Sequence, residues 1–266
     1  MSLYVGIGGW TFEPWRGTFF PEGVKKVDEL RYASRHVTSI EVNGTFYRTQ
    51  SPATFRKWFD ETPDQFVFAL KAPRFAVNRR VLAEAAPSIE TFVNSGIAEL
   101  GHKLGPILWQ FAATKRFDAE DFSAFLDLLP EKIGNLRLRH AIEPRHESFR
   151  DPAVVQMLRE RNHALVYAHA EDYLELADVT ADFVYARLQQ CREDETAGYS
   201  DAELAGWAER TRTWQRGGLP DDLPVVCPPP AAEPRDVFAY FISGAKVRAP
   251  MAAQALIRHL DDREAQ

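Results

Sequence analysis

Short apolar segments alternate with amphipathic helical patterns along almost the whole chain, and this alternation strongly limits the folds that the chain can adopt. Strands that are separated by helices run parallel and are joined by right-handed crossovers. Eight apolar segments are predicted as strands, and they cover residues 4–8, 39–43, 65–70, 107–111, 139–143, 164–169, 183–188 and 237–242. Because eight parallel strands can close without exposed edges, we predict an α/β fold of the TIM type, a (β/α) barrel. A length of 266 residues is sufficient for this barrel to form a single domain over residues 1–266.

Predicted helices fill the intervals between these strands. Capping residues and apolar spacing indicate helices at residues 27–36, 51–59, 88–100, 118–129, 151–162, 200–216 and 250–260. The interval between the sixth and seventh strands is short, so we expect it to hold a single helical turn. Residues 217–235 contain six prolines, and we therefore predict an ordered, irregular excursion before the last strand. The tail from Asp261 to Gln266 is expected to fray.

An open, doubly wound sheet is the alternative arrangement for parallel strands and helices. Such sheets usually carry a G-x-G-x-x-G phosphate loop directly after a strand. Gly6, Gly8 and Gly9 follow or end the first strand but lack that spacing. The closed barrel is therefore the favoured arrangement.

Composition and charge limit the classes of function. A formal net charge of -6 argues against a protein that coats nucleic acid without sequence preference, since such binding uses excess Lys and Arg. No segment approaches the roughly 20 apolar residues of a membrane span, and the N-terminus lacks the pattern of a signal peptide. Cys191 and Cys227 stand without a C-x-x-C pair, so we expect reduced thiols. These features predict a cytoplasmic protein without a membrane partner, and they leave its oligomeric state open.

Polar and ionisable residues gather at the carboxyl ends of the predicted strands. In a parallel barrel all of these ends meet at one rim, where barrel enzymes build their active sites. Glu41 and Asn43 share one face at the end of the second strand, and a buried carboxylate requires polar partners. The residues that we expect at this rim are Glu41, Asn43, Lys71, Gln110, Glu143, Arg145, His146 and Arg187.

Six segments of the sequence resemble motifs of the YecE-like family, domain of unknown function 72. These segments occur in the family's order and cover residues 10–23, 40–48, 68–74, 104–111, 142–149 and 182–188. The resemblance spans nearly the whole chain, and it implies a TIM-type barrel with no established activity. The polar motif residues that the resemblance carries over are Glu41, Asn43, Tyr47, Lys71, Arg74, Gln110, Glu143, Arg145, His146 and Arg187.

The sequence departs from the family pattern after three strands. Family members tend to end the eighth strand with paired asparagine and aspartate, whereas residues 241–244 are F-I-S-G here. Gln189 and Gln190 replace a His-Gly pair after the seventh strand, and Ala112 and Ala113 replace prolines after the fourth. We therefore expect a re-specialised or degenerate site.

Fixed cations at one rim of a protein with negative net charge favour an anionic ligand. Our leading hypothesis is a hydrolase acting on a phosphate-bearing or nucleotide-like small molecule, with Glu143 or Glu41 as the general base and His146 as the proton donor. The residues predicted to be catalytic are Glu143, His146, Glu41 and Lys71. The residues predicted to bind substrate are Asn43, Tyr47, Arg74, Gln110, Arg145, Arg187 and Trp10.

Structural roles compete with several of these assignments. Glu41 and Lys71 come from neighbouring strands and could form a buried ion pair. Glu143 with Arg145 could brace the barrel mouth. Aromatic rings at a barrel mouth also pack on one another, and for Trp15 packing is the favoured interpretation.

Three other functions remain open from the sequence. Two carboxylates on nearby strands fit glycoside cleavage, for which a separation of about 5 Å indicates a retaining mechanism. A module that binds nucleic acid or a metabolite without turnover would depend on Arg74 and Tyr47, and on Arg79 and Arg80, for which a solvated face is the favoured interpretation.

We predict no cofactor. A divalent metal held by His146 or His169 with Glu143, Glu171 or Asp172 is the alternative, and it would indicate a metal-dependent isomerase or endonuclease. No motif such as H-E-x-x-H supports it, so hydrogen-bonded structural histidines are favoured.

Overall fold

The computed structural model describes residues 1–261, in which parallel strands close into a barrel. Each strand pairs in parallel with the next one along the chain, and the last pairs with the first. The barrel strands are β1 (Leu3–Gly8), β2 (Ser39–Val42), β3 (Val67–Lys71), β4 (Leu104–Gln110), β5 (His140–Glu143), β6 (Ala164–His169), β7 (Phe183–Leu188) and β8 (Asp236–Phe241). This topology confirms the predicted TIM-type barrel.

Helices surround the barrel. The α-helices are α1 (Glu29–Ala33), α2 (Gly44–Tyr47), α3 (Pro52–Glu61), α4 (Arg74–Val77), α5 (Ala86–Val93), α6 (Ala119–Asp127), α7 (Pro152–Glu160), α8 (Asp201–Gln215) and α9 (Ala249–Asp261). Short 3₁₀ segments lie at Glu13–Trp15, Lys26–Asp28, Leu82–Ala85, Ile97–Lys103, Glu147–Phe149 and Lys246–Arg248. A two-stranded hairpin, Lys132–Ile133 with Leu136–Arg137, precedes β5.

Four of the long helices begin where capping residues indicate a start. Ser51, Asp118, Asp151 and Ser200 each accept a backbone N–H of the first turn through the side chain. Such caps satisfy donors that have no partner within the helix.

The predicted helix at 88–100 is wrong in extent. The α-helix ends at Val93, and a 3₁₀ segment follows from Ile97. Gly96 separates the two with a left-handed backbone (φ 107°), a conformation that residues with a Cβ rarely adopt. A Cβ at this position would also lie 2.7 Å from the Cα of Pro52 at the start of α3.

The helical turn expected between the sixth and seventh strands is also wrong, since residues 170–182 contain no helix. Side-chain hydrogen bonds fix this link instead. Thr180 accepts the N–H of Leu165 at 2.7 Å and donates its hydroxyl to the carbonyl of His163. These bonds fix the end of the link against backbone groups at the start of β6.

The Pro-rich excursion at 217–235 contains neither a helix nor a strand, as predicted. Its backbone is anchored by two buried side chains. Asp178 accepts the N–H groups of Val226 and Cys227 at 3.0 and 2.9 Å, and Arg235 donates to the carbonyl of Gly217. Fraying was predicted for residues 261–266. Of these, residues 262–266 lie outside the described part of the chain.

Two predictions from composition concern the described residues as a whole. Within residues 1–261, no helix is both long and apolar enough to cross a membrane. Cys191 and Cys227 are buried free thiols, as expected from their isolation in the sequence.

Side chains inside the barrel change from apolar to polar toward the carboxyl ends of the strands. Tyr4 stacks on Phe238 at 4.7 Å near the amino end, and Tyr185 packs against Tyr240 at 5.1 Å further along. Every second residue of a strand points inward. At the inward positions nearest the carboxyl ends, the side chains are charged or carry an amide. The inward-facing polar residues at this end include Glu41, Lys71, Gln110, Glu143 and Arg187.

We predict that Gly6→Ala destabilises the barrel, because an added Cβ would lie 2.0 Å from the carbonyl oxygen of Ser39 on the neighbouring strand. Overpacking of this kind costs about 1–3 kcal/mol in the free energy of unfolding, which urea denaturation measures. Gly44→Ala is the matched control, because nothing lies within 4 Å of its added Cβ. Equal stability of the two variants would contradict the predicted close approach of β1 and β2.

Candidate functional site

Arg187 lies at the centre of a buried polar cluster in the barrel mouth. Its Nε and Nη2 atoms donate to the two oxygens of Glu41, each at 3.0 Å. Its Nη1 atom donates to both oxygens of Glu143, at 3.0 and 2.8 Å. Both glutamates are fully buried and Arg187 is 2% exposed. One guanidinium from β7 thus joins carboxylates from β2 and β5.

Further donors complete the pairing of both carboxylates. The hydroxyl of Tyr185 donates to Glu41 Oε2 at 2.8 Å. Gln110 Nε2 donates to Glu143 Oε2 at 2.8 Å, and Arg145 Nε donates to Glu143 Oε1 at 3.0 Å. The predicted brace between Glu143 and Arg145 is therefore present.

Charges around Glu143 decide its ionisation. Burial by itself raises the pKa of this carboxyl, but the adjacent Arg187 and Arg145 guanidinium groups outweigh burial and hold the pKa below its usual value. The pKa of Arg187 is raised, because its two carboxylate partners outweigh the effect of burial. Glu143 and Arg187 are therefore both ionised at neutral pH.

The Glu41–Lys71 ion pair considered from the sequence is wrong. Among the described residues, Lys71 has no carboxylate within ion-pairing distance, and Glu41 is paired with Arg187 instead. The Lys71 ammonium lies over the ring of Phe46 at 4.5 Å. Burial, followed by repulsion from Arg187, lowers the pKa of Lys71 to about 8.

Two more cations lie near the cluster. Arg145 stacks on the ring of Tyr173 at 4.0 Å. Lys246, which follows β8, is partly buried and lies over the ring of Phe12 at 4.8 Å. Burial lowers the pKa of Lys246, while Glu41 acts in the opposite direction. With Lys71 and Arg187, four cationic side chains accompany two carboxylates in this part of the described structure.

Gln189 continues the inward face of β7 two residues beyond Arg187. Its Oε1 accepts the hydroxyl of Ser243 at 3.2 Å, whereas its Nε2 is buried and has no partner among the described residues. A buried donor without a partner is costly and can be satisfied by water or by a ligand. Gln189 thus offers a free N–H group at the position where the family pattern has histidine.

Asn43, Tyr47 and Arg74 lie in the turns that follow β2 and β3. Asn43 Nδ2 is 3.2 Å from the position of a Cβ added to Gly8, so it lies beside the end of β1. Tyr47 is 66% exposed, and the exposed Arg74 lies over the ring of Phe75 at 5.0 Å. In the part of the chain that is described, these predicted binding residues form no hydrogen bond or ion pair with either carboxylate. Asn43 donates instead to the backbone carbonyl of Glu41.

Trp10 and Trp15 are both packing residues in this structure. Trp10 packs edge-on against Trp58 at 5.1 Å and against Phe68 at 6.5 Å, on the helix-facing side of the barrel. The partly buried Trp10 is therefore placed in an aromatic packing contact at the edge of the core instead of the predicted ligand contact. Trp15 is fully buried, as the favoured interpretation predicted.

The two histidines considered as metal ligands have other partners. His146 Nδ1 accepts the N–H of Ser148 at 3.0 Å and so caps the 3₁₀ segment Glu147–Phe149. His169 packs against Trp207 at 4.9 Å, between β6 and α8. Within residues 1–261, no group of three His, Cys, Asp or Glu side chains is arranged to hold a metal ion.

The carboxylate pair does not have the arrangement of a glycosidase. The guanidinium of Arg187 fills the gap between Glu41 and Glu143, and neither carboxylate is exposed. A sugar ring or an attacking water requires that gap to be open.

Arg79 and Arg80 lie outside the cluster. Arg79 donates to the carbonyl of Phe75 at 2.6 Å and to the hydroxyl of Ser88 at 3.0 Å. The carbonyl of Arg80 accepts from Lys115. Arg79 is thus a structural residue, and the exposed Arg80 side chain fits the expected solvated face.

Sequence reasoning missed Tyr185, Gln189, Tyr173 and Lys246. Tyr185 lies two positions before Arg187 and Gln189 two positions after it. Strand alternation alone would therefore have placed both on the same inward face as Arg187. Tyr173 lies in an irregular segment and Lys246 begins a short 3₁₀ segment after β8, and neither position carries a comparable sequence signal.

Comparisons with known proteins confirm the resemblance. The family model described as "Protein of unknown function DUF72" matches residues 4–266. UPF0759 protein YecE of Escherichia coli strain K12 is 27% identical over 150 residues, which is 55% of this chain and 50% of that protein. The chain thus spans about half the length of the curated relatives it matches first.

Solved structures show the same fold. A DUF72 family protein from Thermotoga maritima superposes with a TM-score of 0.76 at 22% identity, covering 98% of this chain and 100% of that one. A DUF72 family protein from Enterococcus faecalis gives a TM-score of 0.71 at 17% identity, over 97% and 95% of the two chains. At these identities the likeness concerns the fold alone.

We predict that Arg187→Met leaves Glu41 and Glu143 buried without their shared cation and lowers the free energy of unfolding by about 3–5 kcal/mol. Arg150→Met, which removes an exposed pair with Glu147, should cost less than about 1 kcal/mol. Denaturant unfolding of both variants measures the difference.

The pH dependence of stability should also change. In the unmodified protein the lowered pKa of Glu143 gives a contribution that is present at neutral pH and lost as the pH falls through the folded-state pKa. In Arg187→Met, protonation neutralises the unpaired buried carboxylates. Acidification should therefore reduce the difference in unfolding free energy between this variant and the unmodified protein. A difference that grew at acidic pH would contradict this account.

Proposed function

This chain belongs to the DUF72 family, and we propose that it binds an anionic, phosphate-bearing small molecule at the carboxyl-terminal rim of its barrel and hydrolyses it. One observation carries this proposal. Glu41 and Glu143 are buried and paired with Arg187, so the accessible side of the cluster is left with an excess of positive charge. Fixed cations with low-dielectric surroundings favour an anion that enters the mouth.

The proposed phosphate contacts differ in two residues from those expected from the sequence: Gln189 is added, and Arg187 becomes a positioning residue. Lys71 and Arg145 are partly exposed, and Gln189 contributes an amide N–H that has no partner within residues 1–261. Ammonium, guanidinium and amide N–H groups are the donors that phosphate oxygens accept. Arg187 is assigned to positioning, because both edges of its guanidinium already donate to carboxylates.

The proposed chemistry relies on positioning and electrostatics. Glu143 is a weak base because its pKa is lowered, and it is inaccessible because it is fully buried. Phosphoryl transfer requires little covalent help from the protein, so an attacking water needs no strong base. The water oxygen bonds to phosphorus as the ester P–O bond breaks. Lys71 gives a proton to the leaving alkoxide and then regains one from the water that has attacked.

A binding module without turnover is the second candidate. Complete burial of both carboxylates favours it, since no acidic side chain of the cluster is left to contact a substrate. The two candidates share the anion site and differ in whether a phosphate ester is consumed.

We predict that Lys71→Met weakens sulfate or phosphate binding by about tenfold, because it removes a charge-assisted contact. Isothermal titration calorimetry at pH 7.5 measures the affinity. Arg150→Met serves as a control because it removes one exposed positive charge that pairs with Glu147 and not with the carboxylates of the cluster. An equal loss of anion affinity in the two variants would assign the effect to net charge and not to a contact of Lys71. If neither sulfate nor phosphate binds the unmodified protein, the proposal is overturned.

The pH dependence of anion binding gives an independent test. The pKa of Lys71 is about 8 in the free protein, and a bound anion raises it. Sulfate affinity should therefore fall above pH 8 by up to about tenfold per pH unit, with uptake of a proton on binding. In Lys71→Arg the guanidinium stays charged, so this decline should disappear while binding persists. A decline that persists in Lys71→Arg would exclude Lys71 as the titrating group.

Turnover decides between the hydrolase and the binding module. We predict that the unmodified protein releases inorganic phosphate from an alkyl phosphate ester such as glycerol 3-phosphate, and that Lys71→Met lowers kcat by at least about tenfold because the leaving alkoxide loses its proton donor. Binding of phosphate without release of inorganic phosphate from this or other phosphate esters would favour the binding module.

A further inference from the structure

Two exposed aromatic rings lie beside the proposed anion site. The large apolar side chains that are exposed in the described residues are Met1, Val27, Tyr47, Phe75, Val81 and Val225. Tyr47 and Phe75 are the aromatic members of this set, at 66% and 62% exposure. Tyr47 follows the carboxyl end of β2 by five residues, and Phe75 follows the carboxyl end of the neighbouring strand β3 by four.

Contacts place Tyr47 next to Lys71. The hydroxyl of Thr45 in α2 donates to the backbone carbonyl of Lys71 at 2.7 Å, so this helix is fixed against the end of β3. The Lys71 ammonium lies over Phe46 at 4.5 Å, and Phe46 meets Tyr47 edge-on at 5.1 Å. The ring of Phe46 therefore lies between Tyr47 and the Lys71 ammonium, which is the proposed hydrogen-bond donor to phosphate.

Phe75 belongs to the same rim. It lies four residues after Lys71, in the short helix α4. The guanidinium of Arg74 covers one side of its ring at 5.0 Å, yet most of the ring remains open to solvent. Arg48, which directly follows Tyr47, is also exposed. Phe75 thus has a cation over its ring, and an exposed cation follows Tyr47 in the chain.

We propose that the anionic ligand is a nucleoside phosphate, whose base stacks on Tyr47 and Phe75 while its phosphate is held at Lys71. This inference rests on the proposed function, because it uses the same anion site. Aromatic faces stack on bases without requiring base-specific hydrogen bonds, and adjacent cations hold the phosphate. The combination of open rings and cations beside one rim matches a ligand with a planar aromatic end and an anionic end.

The experiment compares three probes by isothermal titration calorimetry: AMP, ribose 5-phosphate and inorganic phosphate. AMP should bind the unmodified protein at least about tenfold more tightly than ribose 5-phosphate, as expected for base stacking. In the double variant Tyr47→Leu with Phe75→Leu, this preference for AMP should disappear, while the affinity for inorganic phosphate stays unchanged. Leucine keeps an apolar side chain of similar length, and both positions are exposed, so folding should be preserved.

Val225→Ala is the matched control, because it alters an exposed apolar side chain in the Pro-rich excursion. It should retain the preference for AMP. Binding of inorganic phosphate with no preference for AMP would overturn this inference and leave the proposed function intact. Failure of all three probes to bind would overturn both. A preference for AMP that persists in the double variant would overturn the assignment to these two rings.

A fourth probe identifies the source of the nucleoside phosphate. A 5′-phosphorylated tetrathymidylate that competes with AMP and binds more tightly would support recognition of a strand end. Competition at an affinity equal to or weaker than that of AMP would support a free nucleotide. Both results support the stacking site, whereas binding of the oligonucleotide without displacement of AMP would overturn a shared site.

Discussion

Arg187 gives two buried carboxylates a shared cationic partner inside the barrel mouth, and the arrangement of the site depends on this pairing. An ionised carboxylate without partners cannot be buried without a large cost in free energy. Arg187 therefore binds Glu41 with one edge and Glu143 with Nη1 of its planar guanidinium, at distances of 2.8–3.0 Å. Lysine could not make these planar, multidentate contacts. Because the three residues come from β2, β5 and β7, the pairing also links strands that are not neighbours in the barrel.

The same pairing determines the charge that a ligand would meet. Once Arg187, Tyr185 and Gln110 have satisfied most of the carboxylate oxygens, the acidic groups are neither exposed nor basic. Lys71 and Arg145 then lie at the accessible side with their positive charge. Our proposal of an anionic ligand, rather than the acid–base chemistry of a glycosidase, rests on this arrangement of charge. The pKa of Lys71, lowered to about 8, makes this rim sensitive to pH in the range where proteins work.

Departures from the family pattern occur at the same rim. After β7, the chain has Gln189, whose amide oxygen accepts from Ser243 in the segment that follows β8. A neutral amide and a hydroxyl thus meet where family members tend to carry histidine, asparagine and aspartate. An amide keeps hydrogen-bonding capacity without a negative charge, which is compatible with an anionic ligand. The exposed rings of Tyr47 and Phe75 extend this rim away from the cluster.

Much of the fold and part of the site could be predicted from the sequence. Apolar alternation located every barrel strand, and capping residues located the starts of the long helices, because both signals depend on neighbours a few residues apart. The inward positions of Glu41, Glu143 and Arg187 at strand ends followed from the same alternation. The break at Gly96 was missed because helical spacing continues across it, and the left-handed backbone depends on the close approach of Pro52.

The barrel, its strand ends and the polar residues that share one rim all followed from the sequence pattern. The partners of these residues depended on contacts between distant parts of the chain: Glu41 pairs with Arg187, which is 146 residues away, and within residues 1–261 this leaves Lys71 without a carboxylate partner. The same contacts set the packing of Trp10 against Trp58 and the exposure of Tyr47 and Phe75. The physical reason is that periodicity and capping are local, whereas contacts across a closed barrel depend on strand stagger and on which side chain best satisfies a buried charge.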